Sequence, residues 1–199
     1  MEREGVIELI EASLKEGKTL DLRRADLNQL DLSGFNLRKA NLNEADLYQV
    51  NLGQANLSEA SLIFAKLIQA NLRAANLRES NLVFANLRLA DLYGVDLAKA
   101  NLSATDLYGA NLVRADLSEA NLAEANLCEV NLAEANLLDA NLSEANLAET
   151  NLRGANLRGA NLKGVNLKKA IYDRRTKWDK HFNPSAVGAI KDKKWFDFF

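Results

Sequence analysis

The sequence predicts an all-β solenoid, a chain coiled about a leucine-filled axis, and three observations carry that prediction. Leucine stands at every fifth position from Leu22 to Leu167, thirty in all and without exception. Two positions before it, Ala occupies 20 of the 30 sites, and one position before it Asn or Asp occupies 28. Self-similarity at a short fixed period is the signature of a repeat architecture.

A period of five fits neither regular element. On an α-helix at about 100° per residue, successive leucines would lie about 140° apart. On a flat strand, where side chains alternate, they would fall on opposite faces. A chain that turns a corner every five residues aims all of them inward, and each turn of the coil can hydrogen-bond to the next at roughly 4.8 Å. The alanines mark a second, tighter inward position. The Asn and Asp residues, with Ser61 and Lys66 as the exceptions, suit the corners, because short polar side chains bond to local backbone and tolerate turns.

Units such as Ala40-Asn41-Leu42-Asn43-Glu44 and Ala120-Asn121-Leu122-Ala123-Glu124 follow the pattern A(N/D)LXX and resemble the pentapeptide-repeat proteins, in their cyanobacterial type. The resemblance implies a right-handed quadrilateral β-helix with four pentapeptides per coil. Residues 20–170 would then make about seven and a half coils and a rod of roughly 36 Å. Ile63 with Val83 and Phe64 with Phe84 match at an interval of 20, as four sides require, while Tyr93 with Tyr108 matches at 15, as three sides would.

Residues 1–19 precede the repeats. Val6, Leu9, Ile10 and Leu14 form a helical stripe between Glu4 and Lys15, with Gly17 after it, and predict a helix that caps the first coil. Residues 171–199 follow, and the register breaks at Tyr172. Pro184 after Asn183 signals a short helix over 183–191. Trp178, Phe182, Trp195, Phe196, Phe198 and Phe199 gather in this tail, and aromatics so dense need burial. The tail is expected to cap the last coil or to be an interface. Some members of the family resembled dimerise through their C-terminal ends, which makes a homodimer through that end the alternative.

The chain carries 25 basic and 27 acidic residues, a formal charge of −2, without the basic excess of a nucleic-acid binder. Cys128 is the only cysteine and His181 the only histidine, so no internal disulfide, metal-ligand spacing or Ser-His-Asp set is available. A core of leucine and alanine leaves no room for a substrate. No catalytic residue, metal or cofactor is expected, and the chain is read as a non-enzyme. It has no apolar run long enough to cross a bilayer and no leader pattern at Met1-Glu2-Arg3-Glu4, so a cytoplasmic location without membrane contact is expected.

Candidate sites lie on the two outward residues after each leucine. Ile63, Phe64, Ile68, Val83, Phe84, Leu89, Tyr93 and Tyr108 form a candidate apolar patch for a protein partner of unknown identity. Glu119, Glu124, Glu129, Glu134, Asp139, Glu144 and Glu149 recur every five residues as an acidic collar, followed from Arg153 to Lys177 by a basic band. These features point to a non-catalytic protein–protein interaction or scaffolding module with a regulatory role. One alternative is a DNA mimic acting on DNA gyrase or topoisomerase, as the quinolone-resistance members of the family resembled do. The other is a structural rod that assembles end to end.

Overall fold

The computed structural model of the chain describes residues 2–192. Parallel bridges join each residue before a leucine to the residue 20 positions on, from Asp21↔Asn41 to Asn151↔Ile171. Four pentapeptides therefore complete one coil, and the interval of 15 between Tyr93 and Tyr108 has no structural counterpart.

Backbone carbonyls take four of the five N–H groups of a typical repeat, and a side chain takes the fifth. Around Leu42, the N–H of Asn41 donates to Leu20 O of the preceding coil at 2.8 Å. Those of Leu42 and Glu44 donate to Ser61 O and Ile63 O of the next at 2.7 and 2.8 Å, and that of Ala45 closes a turn onto Leu42 O at 3.1 Å. The fifth, on Asn43, reaches the side-chain Oδ1 of Asn41 at 3.2 Å. Every backbone donor of this repeat is thereby satisfied, as a stable interior requires. The tight turn thus lies at the two residues after the leucine. The Asn or Asp sits just before it, in the bridge, and serves the turn through its side chain rather than forming the corner itself.

Every second residue after a leucine has a positive φ. Twenty-four are not glycine, with φ between 53° and 62°, and the other six are Gly34, Gly94, Gly109, Gly154, Gly159 and Gly164. A left-handed residue costs about 1–2 kcal/mol where a Cβ is present. The inter-coil hydrogen bonds on either side of it hold it there.

The interior follows the pattern of the repeat. All thirty leucines but Leu162, which is half-buried near the C-terminal end, are sealed from solvent, as are the alanines two positions before a leucine from Ala40 onward. Where a hydroxyl replaces alanine it finds a carbonyl: Thr105 donates to Leu82 O at 2.9 Å and Thr150 to Leu127 O at 2.8 Å. Along each face, asparagine side chains form ladders, as where Asn71 Nδ2 donates to Asn51 Oδ1 at 2.8 Å. Aspartate cannot donate, so a ladder restarts at each one. Three of these, Asp91, Asp96 and Asp106, take an arginine from the coil before instead, Arg73, Arg78 and Arg88.

At the N-terminal end lies α1 (Arg3–Glu16), which buries Val6 completely and packs Ile10 against the first coil. Leu9, placed on the same stripe by its spacing, is exposed. Arg3 lies over the Phe35 ring, 5.1 Å from its centroid, and its Nε donates to Asp31 O at 3.0 Å.

The tail continues the coil instead of leaving it. Strand β1 (Ile171–Tyr172) pairs with Asn151 beneath it and with β2 (Ile190–Lys191) above it, both in parallel. One extra residue is accommodated in the turn from Asp173 to Thr176, after which Lys177 bridges Asn156 at an interval of 21. Asp173 Oδ1 accepts from the N–H groups of Gly154, Arg175 and Thr176 at 3.0, 2.9 and 3.1 Å. Trp178 packs edge-on to Tyr172 and stacks on Phe182, at 5.8 and 5.2 Å between centroids, and all three pack against the core. The helix expected over 183–191 is only a 3₁₀ turn, Pro184–Val187, ended by Gly188 at φ 91°, and β2 takes the residues beyond it. An ion pair of 2.7 Å between Arg153 and Asp192 ties this last segment to the rod.

Candidate interaction surface

The 20-residue register assigns each outward pair to one of four corners. The first corner follows Leu22 and recurs as 43–44, 63–64, 83–84, 103–104, 123–124 and 143–144; the second follows Leu27, the third Leu32 and the fourth Leu37. Successive pairs on one corner are one strand spacing apart, roughly 4.8 Å.

On the first corner Phe64 and Phe84 stack face to face, their centroids 5.0 Å apart and planes 7° from parallel. The two residues are 56% and 53% exposed, so the stack stays open to solvent. Ile63 and Val83 sit half-buried beside them. Across one face, on the second corner, are Ile68, Leu89 (52% exposed) and Tyr108, with Tyr48 one coil before Ile68. Between the two corners Lys66 replaces the usual asparagine and lies 3.8 Å from Asp46.

The structure does not join Tyr93 to this group. Tyr93 is on the third corner, where Arg73 covers its ring at 4.4 Å and Arg114 Nη1 donates to its hydroxyl at 3.1 Å. Tyr108 is likewise covered by Arg88 at 4.4 Å. The Glu129 carboxylate, by hydrogen bonding and then burial and charge, raises the Tyr108 hydroxyl above its ordinary value. Sequence reasoning missed these arginines, although Arg73 to Tyr93 and Arg88 to Tyr108 are both intervals of 20. Trp178 and Phe182 of the tail are engaged with the core, whereas Trp195, Phe196, Phe198 and Phe199 lie outside the described residues.

The acidic collar steps around the corners in turn, but it is unevenly neutralised. Glu119 faces Lys99 at 3.8 Å, Glu134 faces Arg114 at 2.8 Å and Arg175 at 3.7 Å, and Glu149 faces Lys169 at 2.9 Å. The Arg114 guanidinium holds the Glu134 carboxyl below its ordinary value. On the first corner Glu124 and Glu144 have no ion pair among the described residues. Cys128 is half-buried next to Glu129, and burial first, then the charges of Glu129 and Glu149, push its thiol up and away from reactivity. Among the described residues no group of three or more His, Cys, Asp and Glu is placed to hold a metal ion. No helix there is long and apolar enough to cross a membrane.

Eight copies of the model for pentapeptide repeats match the chain between residues 21 and 171. Among solved structures, the chain is similar to HetL of the cyanobacterium Nostoc sp. strain PCC 7120, a pentapeptide repeat protein involved in heterocyst differentiation regulation. The identity is 29% over 91% of this chain and 90% of HetL, with a TM-score of 0.56. It is also similar to the pentapeptide repeat protein alr5209 of Nostoc PCC 7120, at 41% identity over 51% of this chain and 84% of that one, TM-score 0.51. QnrB1, a plasmid-mediated fluoroquinolone resistance protein, is 16% identical over 82% of this chain and 92% of its own, TM-score 0.54, a likeness of fold alone. No curated protein matches the chain.

Proposed function

The chain belongs to the pentapeptide-repeat family of right-handed quadrilateral β-helices, and on that premise we propose that it works as a non-catalytic protein-interaction module with a regulatory role. The observation that carries this reading is the exposed Phe64–Phe84 stack. The repeat rule demands nothing of the outward residues beyond a turn, and Glu or Gln fills that position in many other coils. Two large apolar rings kept in water at adjacent rungs, with Leu89 across one face, match the anchors around which protein interfaces are built. The similarity to HetL, a protein involved in heterocyst differentiation regulation, supports the regulatory part of the proposal. A reducing cytoplasm suits a fold whose single cysteine has no partner for a disulfide within the chain.

Mimicry of DNA is the weaker reading. It needs a long, continuous negative surface, while here Glu119, Glu134 and Glu149 are engaged by Lys99, Arg114, Lys169 or Arg175, and Glu129 by Tyr108.

Affinity capture from a bacterial lysate with the wild-type protein and with Phe64→Gln/Phe84→Gln tests the proposal. Gln already occupies the equivalent turn position at Gln29, Gln49, Gln54 and Gln69, so the variant keeps the backbone. A protein held by the wild type and released by the variant supports the flank as the interface. The same protein held by both removes it.

A further inference from the structure

We propose that the first corner of the rod is a docking track for an amphipathic helix of a partner protein. Its apolar residues would seat on Phe64 and Phe84, and its basic residues, two to three helical turns further along, would pair with Glu124 and Glu144. This deepens the function proposed above and rests on it: the aromatic stack is the shared anchor, and the charge and secondary structure of the partner are new.

The four residues lie on one straight column. Phe64 and Phe84 occupy adjacent rungs, Ala104 leaves a low step after them, and Glu124 and Glu144 occupy the next two. The two glutamates are exposed and, among the described residues, unpaired, while Glu119, Glu134 and Glu149 on the other corners each have a cation. Like charges on adjacent rungs repel, and a cation set between them from outside relieves that repulsion. A ligand that lies along the column therefore gains from being apolar at one end and basic at the other.

The spacing selects a helix. The coils rise about 4.8 Å per rung, close to the 5.4 Å of one helical turn, so residues three or four apart on a helix meet successive rungs. From Phe64 to Glu144 is four rungs, about 19 Å, which about 13 helical residues span at 1.5 Å each. The accumulated mismatch, about 2.4 Å, is within the reach of long lysine and arginine side chains. An extended strand, with same-face residues about 6.8 Å apart, falls out of step after one rung. A second copy of this chain does not supply the helix. The only α-helix among the described residues, α1, carries Glu4, Glu8, Glu11 and Glu16 against Arg3 and Lys15, and its apolar face is spent on the first coil.

The test uses the full chain and a synthetic alanine-based helical peptide of about fifteen residues, with leucine at positions 1, 4 and 8 and arginine at 11 and 15, the periodicity the column demands. Binding is read by fluorescence anisotropy at low and high salt, with thermal melts to verify that each variant is folded. The expected result is measurable binding that weakens about tenfold or more in Phe64→Gln/Phe84→Gln. In Glu124→Gln/Glu144→Gln it weakens about fivefold and loses most of its salt dependence. A peptide with glutamate in place of both arginines should not bind.

If the glutamine-for-glutamate variant binds as the wild type does, with the same salt dependence, the charged half of the track is overturned while the aromatic anchor stands. No binding of the peptide to the wild type overturns the helix proposal but leaves the capture experiment to judge the interaction module separately. Binding unaffected by either pair of substitutions sinks the track and the flank together.

Discussion

Phe64 and Phe84 meet in a parallel stack, 5.0 Å between centroids and 7° between planes, although each holds a left-handed backbone at φ 58° and each residue is more than half exposed. Stacked aromatic pairs contribute about 0.5–1.5 kcal/mol beyond their burial. A double-mutant cycle with Phe64→Gln and Phe84→Gln, read by urea denaturation, should therefore give a coupling of about that size, with small losses for the single changes. A coupling near zero would mean that the rings only share a surface and contribute nothing to the join between coils.

The leucine column is expected to be strong in the middle and weak at its C-terminal end. Leu97 is fully sealed, and Leu97→Ala should cost about 2–5 kcal/mol through lost transfer energy and the cavity left behind. Leu162 is only half-buried, so Leu162→Ala should cost about 1 kcal/mol or less. Denaturant midpoints for the two variants check this, and equal losses would contradict the gradient of burial.

The two outward positions of a turn are not equivalent. Ala104 has φ 53°, whereas Ala123, the first outward residue of its own turn, is not in the left-handed region. Valine is poorly tolerated at positive φ. Ala104→Val should thus lower stability by about 1–2 kcal/mol more than Ala123→Val, and Ala104→Gly should be neutral or slightly stabilising. Thermal melts of the three variants would reveal any failure of this order.

Much of the rod was legible because leucine and alanine are selected by the space they fill, one choice per position. The left-handed turns were not legible. Residues as different as Phe84, Glu124 and Lys169 adopt them, since the inter-coil hydrogen bonds impose the conformation whatever the side chain. The aromatic stack was readable from the interval between Phe64 and Phe84, but Tyr93 could be excluded from it only once the corners were assigned. The last coil was hidden by a single extra residue. With Thr176 in the buried position and Lys177 in the bridge, the five-residue period slips by one, and the tail reads as a departure from the rod when it is its continuation.

That hidden coil hangs on Asp173, which leads to a pH dependence. Its partial burial favours the neutral acid, but hydrogen bonds from the Arg175 side chain and from the N–H groups of Gly154 and Arg175 outweigh it. The carboxyl is held below its ordinary value of 3.8. A group whose pKa is lower folded than unfolded stabilises the fold above the unfolded value and loses that contribution as pH falls through the folded one. The anchorage of the tail should therefore be intact at neutral pH and weaken below about pH 4. Asp173→Asn keeps one acceptor oxygen and removes the charge, so it should be less stable than the wild type at pH 7, with the difference shrinking as the carboxyl of the wild type is protonated in acid. Hydrogen exchange should report the same change at the Gly154 amide, which donates to Asp173 in the folded rod. A difference in melting temperature that persists undiminished at low pH would mean that shape, not charge, is what Asp173 contributes.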